Sequence, residues 1–324
     1  MKRKSLPYLT ATFGVVFLGY GLIFFSSTVS DSIQKTLLLL GKSVIPSLFP
    51  FFVMSRLFTS LQISDFFSVF FKKIMTPLFS VSPALASALA LGLCGGYPIG
   101  ASTVTEIYRA ELCSKEEAER ALAFCNNSGP AFIIGVCGSV FSVSTGVFLF
   151  FVHSLSAICT GIILRLFVPL KASQKTKNGR QPIPEFSVAF TDSVLSALNS
   201  ILSISAYIVF FSALVAILRQ SHILSFITKP VLKITGLSTH ISEAFFTGLT
   251  EMTSGIFELS GFQNESFAIV LTSLLLGWGG FSVHAQTLNC LANTDLATKE
   301  YFLGKLVHAI VSAIFSLIFL PAFS

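Results

Sequence analysis

Two tracts in segment 90–138 sit within long apolar stretches and cannot continue an α-helix. They are Gly92-Leu-Cys-Gly-Gly-Tyr-Pro-Ile-Gly100 and Cys125-Asn-Asn-Ser-Gly-Pro-Ala131. Glycine leaves the backbone loose, and proline removes an N–H and clashes with the preceding turn. In hydrocarbon, broken backbone survives only where protein buries it or a water-filled cavity wets it. Helices broken at membrane depth therefore point to a transport site.

The composition supports a membrane chain. Apolar residues make up 53% of 324, charged residues 11%, and mean hydropathy is +0.80; soluble domains carry about 25% charged residues. No charge falls between Lys73 and Glu106, Arg120 and Arg165, Asp192 and Arg219, or Glu265 and Asp295. Each gap holds a span of about 20 residues or a re-entrant hairpin. The net charge of +6 collects at span ends, as in Lys2-Arg-Lys4, Lys72-Lys73 and Lys171–Arg180. That is topology bookkeeping and no nucleic-acid signal. Leu9–Val29, after a basic start, reads as a retained signal-anchor-like helix within 1–32.

The expected fold class is an all-α polytopic membrane protein built from two inverted-topology repeats with re-entrant helical hairpins and broken helices. The polar linker 171–185 divides repeat 33–170 from repeat 186–324. A shift of 156 positions places Gly92-Leu93 on Gly248-Leu249, Phe70 on Phe226, Lys73 on Lys229, Ser82 on Ser238 and Ala88 on Ala244. The same shift carries the break at 95–99 onto Glu251–Gly255 and Asn126–Pro130 onto Ser282–Gln286. Matched interruptions in two halves are the pattern of a secondary transporter. Helices are expected at 9–29, 33–60, 115–126, 143–170, 187–219 and 299–320. Hairpins are expected at 83–110 and 239–260, interrupted spans at 121–141 and 266–294, and interfacial helices near 63–74 and 221–234. Ser114-Lys-Glu-Glu117 reads as a solvated capping box, with Glu116 and Arg120 spaced i,i+4.

The candidate solute-binding residues are Gly95, Gly96, Pro98, Asn126, Asn127, Ser128, Gly129, Thr253, Ser254 and Gln286. Broken tips free carbonyls and N–H groups, and the amides and hydroxyls add neutral donors and acceptors. Glu251 and His284 are the candidates for ion or proton coupling, because intramembrane acids are costly and by default functional. No cofactor is expected beyond a coupling ion, Na⁺ or H⁺. His153 and His308 lie in long spans and read as packing residues. No fixed Arg or Lys in the site is evident. Walker A, nucleophile-elbow, zincin and dinucleotide fingerprints are absent, so no enzyme activity and no catalytic or metal-ligating set is expected. The six cysteines read as small hydrophobes. The expected partners are the lipid bilayer and a small-molecule solute, and a homo-oligomer is compatible with the sequence.

Gly95-Gly-Tyr-Pro-Ile-Gly100, Ser114-Lys-Glu-Glu-Ala-Glu-Arg120 and Phe124-Cys-Asn-Asn-Ser-Gly-Pro130, joined by Gly277–Gln286, resemble the YlbJ (SpoVV) family of sporulation integral membrane proteins. That family carries the nucleoside-recognition gate domain, related to concentrative nucleoside transporters and to the gates of ferrous-iron transporters. The resemblance runs from about Ser43 to Leu320. It implies a multi-pass transporter, in the cell membrane or the outer forespore membrane, moving dipicolinic acid during spore formation. Two other readings stay open: a non-transporting scaffold in spore assembly, and a nucleoside carrier.

Overall fold

A chain this apolar has no partner for its backbone in lipid except its own turns, so helix dominates. The computed structural model describes residues 5–61, 73–167, 183–235, 238–262 and 265–323, and no strand occurs among them. The chain opens with α1 (Ser5–Phe24), α2 (Ser26–Leu39) and α3 (Ile45–Ser60). A π-helical turn, Leu40–Val44, joins α2 to α3. In its wide turn the Ile45 N–H reaches the Leu40 carbonyl, just before Pro46, which cannot donate a helical N–H.

The first hairpin is α4 (Ala86–Gly95) and α5 (Ile99–Arg109). A broken stretch follows, α6 (Lys115–Cys125) and a π-helical segment Ala131–Cys137, and then the long α7 (Val143–Phe167). The second half runs through α8 (Phe186–Gln220) and α9 (Ile223–Thr235). Its hairpin is α10 (Thr239–Thr250) and α11 (Met252–Leu259). Then come the broken pair α12 (Glu265–Trp278) and α13 (Gly280–Leu291), and α14 (Lys299–Phe323).

The repeat offset is visible in the helix ends. Residues 143–167 of α7 become 299–323, the bounds of α14, when shifted by 156. Among the described residues, five helical stretches are long and apolar enough to cross a membrane: Ser26–Met54, Val143–Phe167, Phe186–Gln220, Glu265–Leu291 and Lys299–Phe323. The broken stretch α6 to Cys137 is the repeat mate of 265–291. Each half thus crosses three times, and its hairpin enters and leaves on one side. An odd number of crossings starts the second half on the opposite face, so the repeats are inverted. The chain is an integral, multi-pass membrane protein.

Without a hydrophobic drive in lipid, helices associate through close backbone approach at small residues. A Cβ on Gly277 of α12 would stand 2.6 Å from the Ala309 Cα of α14, and Gly304 of α14 lies against Ala123 of α6. Gly248 and Gly255 bring the two limbs of the second hairpin into direct contact. The first hairpin packs with α6 and α13 and the second with α12 and α13, α7 and α14 pack on α6 and α12, and α2 and α3 pack along α8.

Three expectations change. The first helix break falls at Phe25, so Asp31 lies inside α2 rather than in a loop; Ser26–Leu39 contains no Gly or Pro to stop a helix. The capping box forms, with the Ser114 hydroxyl taking the Glu117 N–H and Glu117 taking the Ser114 N–H. It is solvated on one side only: Glu116 is exposed, whereas Glu117 and Arg120 are fully buried, with Arg120 3.7 Å from Glu300. Packing of α6 on α14 covers that face. Most of the expected helix at 63–74, and linker residues 168–182, lie outside the described residues.

At the surface the first hairpin is tied to the loop after α13. Tyr108 donates to Asp295 at 2.7 Å, Lys115 to Asp295 at 2.9 Å, and Arg109 to the Ala292 carbonyl at 2.9 Å. The Tyr108 hydroxyl first, and Lys115 next, hold the Asp295 carboxyl below its ordinary range. A lowered folded pKa gives support that is complete above the unfolded value and is lost as pH falls through the folded one. The thermal midpoint of the wild type should therefore exceed that of Asp295→Asn at pH 7 and approach it as pH falls through the carboxylate range, and Lys115 should be acylated faster in Asp295→Asn than in the wild type at pH 7. Gly277→Val should lower stability by about 1–3 kcal/mol through overpacking. An unchanged thermal midpoint in detergent would show that α12 and α14 do not meet at this glycine.

Candidate functional site

Each hairpin tip meets the break in the span beside it. Gly96, at φ +77°, ends α4, and a Cβ there would lie 2.8 Å from the Gly129 nitrogen. Gly129 in turn approaches Gly96 equally closely, so the first tip and the first broken span touch backbone to backbone. Gly92 and Gly100 both press on the Cys125 carbonyl at the end of α6. In the second half Gly279 and Gly280 sit at φ +93° and +77°, and a Cβ on Gly280 would be 3.1 Å from the Gly248 carbonyl oxygen and the Met252 nitrogen.

The four breaks line one central cavity. Gly95, Gly96, Tyr97, Ser128, Gly129, Glu251, Met252, Thr253, Ser282, Val283 and Gln286 form its gate side. Val44, Leu48, Phe52, Ile204 and Ile208, from the stretch 40–60 and α8, form an apolar wall opposite. The space there that takes water-sized groups is about 50 Å³, room for a few waters, whereas small-molecule sites run from roughly 300 Å³ upward.

Glu251 is 1% exposed and ends α10 at the second tip. One carboxylate oxygen accepts the Thr253 N–H at 3.0 Å and the other the Ser254 N–H at 2.7 Å, so it caps α11. Each oxygen keeps lone-pair capacity toward the cavity it lines.

Seven of the expected residues, Gly95, Gly96, Ser128, Gly129, Glu251, Thr253 and Gln286, line the cavity, and five do not. Pro98 starts α5 behind the tip. Asn126 is a joint: its Oδ1 takes the Ala101 N–H at 3.3 Å and its Nδ2 donates to Thr287 at 2.8 Å. Asn127 donates to the Phe124 carbonyl at 2.8 Å. His284 turns away, with Nδ1 2.8 Å from the Tyr301 hydroxyl and its ring edge-on to Trp278. Ser254 faces a second, polar cavity of about 590 Å³, where Asp31, Lys35, Arg219 and Glu258 gather. There Arg219 of α8 donates to Thr247 and Glu258, one on each limb of the second hairpin, at 3.0–3.2 Å.

His153 and His308 are more than packing residues. The Ser128 N–H donates to His153 Nε2 at 3.0 Å, His308 Nε2 lies 3.0 Å from the His153 carbonyl oxygen, and the rings stand 4.4 Å apart. No Arg or Lys lines the cavity, but one cation that sequence reading did not single out stands behind it. Lys305 of α14 is fully buried behind the first tip and donates to the Tyr97 hydroxyl at 2.7 Å and the Asn126 carbonyl at 3.0 Å. Its one sequence signal was a lone charge one turn beyond Lys299 and Glu300. At a helix end such a residue reads as a side chain reaching for the interface.

Closely matched helix breaks around one chamber define a transporter fold. The chain superposes on CNTnw, a concentrative nucleoside transporter, in an inward-facing substrate-bound state, with a TM-score of 0.57, 13% identity, and 97% of this chain and 85% of that one covered. A CNTnw variant in an intermediate state gives 0.59 at 13% identity, covering 94% and 87%. In sequence, the chain is 28% identical over 296 residues to the sporulation integral membrane protein YlbJ of Bacillus subtilis (strain 168), covering 84% of this chain and 72% of that protein. The resemblance read from the broken tracts thus holds along most of the chain. No protein-family model matches it.

The cap gives a direct test. Glu251→Ala leaves two N–H groups of α11 unmet at a buried tip. It should cost about 0.5–2 kcal/mol, the usual range for a lost N-cap, and Glu251→Gln should cost less. Equal thermal midpoints for Glu251→Ala and the wild type would show that the carboxylate does not hold the tip.

Proposed function

We propose that the chain is a secondary transporter of a small polar or anionic organic solute, with dipicolinic acid as the substrate, during spore formation. One observation carries the reading: both hairpin tips and both broken spans meet at a single buried cavity. The two repeats, 33–170 and 186–324, each supply one hairpin and one broken span to it. Gly95, Gly96, Ser128, Gly129, Thr253 and Gln286 contact the solute, and Glu251 couples its passage to H⁺ or Na⁺.

The chemistry of the cavity suits such a solute. Broken tips offer N–H groups and helix ends to carboxylates. The wall of Val44, Leu48, Phe52, Ile204 and Ile208 suits the flat apolar face of a ring. The sporulation protein that the chain resembles supports a role in spore formation. The similar solved structures are nucleoside transporters, which makes uridine the comparison solute.

The test is uptake into proteoliposomes, with labelled dipicolinate or uridine and with H⁺ or Na⁺ gradients imposed in turn. Dipicolinate should accumulate, and Gly129→Ala, which drives a Cβ into the first tip, should cut the flux at least tenfold while the protein still inserts. Background uptake of dipicolinate under both gradients, with protein insertion verified, would refute the substrate. Uridine uptake in its place would assign a nucleoside carrier.

A further inference from the structure

A fully buried ammonium is costly, and buried charges are ordinarily paired with carboxylates. Lys305 departs from that rule. Among the described residues no carboxylate lies within ion-pair distance of it, unlike Lys115 with Asp295, Arg120 with Glu300, and Arg219 with Glu243 and Glu258. Neutral oxygens and a ring hold it instead: the Tyr97 hydroxyl at 2.7 Å, the Asn126 carbonyl at 3.0 Å, and the Tyr97 ring face with its centroid at 4.8 Å.

These partners belong to the gate. Tyr97 is in the first hairpin tip and passes the contact on by donating to the Leu276 carbonyl at 3.2 Å. Asn126 is the residue at which α6 stops, so its carbonyl belongs to the negative end of a half-helix. Freed carbonyls at half-helix C-termini are where broken-helix transporters coordinate monovalent cations. In the other repeat, the position 156 residues earlier is Leu149, which is fully buried and apolar. The cation is therefore built into one repeat only.

We propose that Lys305 is a tethered cation: its ammonium takes the place of a free monovalent cation at the junction of the first tip and the first broken span. The first gate then closes without Na⁺, and any ion that drives the protein acts elsewhere. The inference stands on the geometry of the tip and not on what the protein carries. Its experiment reads stability, so its failure leaves the transport reading untouched.

The experiment is thermal unfolding of the purified full chain in detergent, in NaCl, methylammonium chloride and choline chloride at matched ionic strength. With Glu251→Gln as the background, which removes the other candidate ion site, the chain should show the same midpoint in all three. Lys305→Ala opens an ammonium-sized gap beside the Tyr97 and Asn126 oxygens. Its midpoint should fall in choline and be regained in part with Na⁺ or methylammonium. Lys305→Met fills the space without charge and should show no regain. A Na⁺-specific rise in the Glu251→Gln midpoint with Lys305 intact would overturn the proposal, because a free cation would then have its own site at the first gate. A Lys305→Ala midpoint indifferent to small cations, or a regain in Lys305→Met equal to that in Lys305→Ala, would overturn it as well.

Discussion

Broken backbone buried in a membrane has to find its partners in other broken backbone, and this condition organises the whole molecule. A hairpin that turns inside lipid frees N–H and carbonyl groups that water cannot reach. The first tip resolves this by laying Gly96 on Gly129, with Gly92 and Gly100 on the Cys125 carbonyl. The second resolves it by spending both oxygens of Glu251 on the Thr253 and Ser254 N–H groups. Side chains larger than hydrogen are excluded at the first tip because backbone already fills the space.

The same condition makes the two repeats chemically unequal. The first tip is closed by glycine contacts and an ammonium, and the second by a carboxylate cap. Lys305 and Glu251 thus place opposite charges behind and at the two tips, on either side of one cavity. The frame opposite is apolar and cannot compensate either charge. Each charge is satisfied inside the gate, by Tyr97 and Asn126 in one case and by the N-terminus of α11 in the other.

Around this centre the polar groups that look isolated in the sequence form a connected layer. Ser128 donates to His153, whose carbonyl meets His308, while Asn126 reaches Thr287, and Thr287 takes a bond from Tyr301, which meets His284. Residues on α7, α13 and α14 thereby hold the breaks in register. At the opposite edge Arg219 fixes both limbs of the second hairpin to α8, beside the cavity that holds Asp31 and Lys35. These ties join residues 14 to 161 positions apart and lie between elements, so they give the gate its shape and not its helices.

What the sequence determined by itself was the set of helices, their breaks and their repetition. Those follow from local chemistry: clustered Gly and Pro interrupt a helix, whereas a lone Pro50, Pro230 or Pro321 is carried inside one, and apolar length fixes what can span. The tips at 95–100 and 251–255 and the offset of 156 were legible for that reason, and so were the cavity-lining Gly96, Ser128, Gly129, Thr253 and Gln286. Which polar residues would face the cavity was decided only in three dimensions. Asn126 and Asn127 became joints and His284 turned to Tyr301, because a broken segment has no period from which a side-chain direction can be read. Lys305 was hidden for a related reason. Its partners stand 208 and 179 residues away, and only the packing of α14 against the first hairpin turns a lone lysine near a helix end into a buried charge.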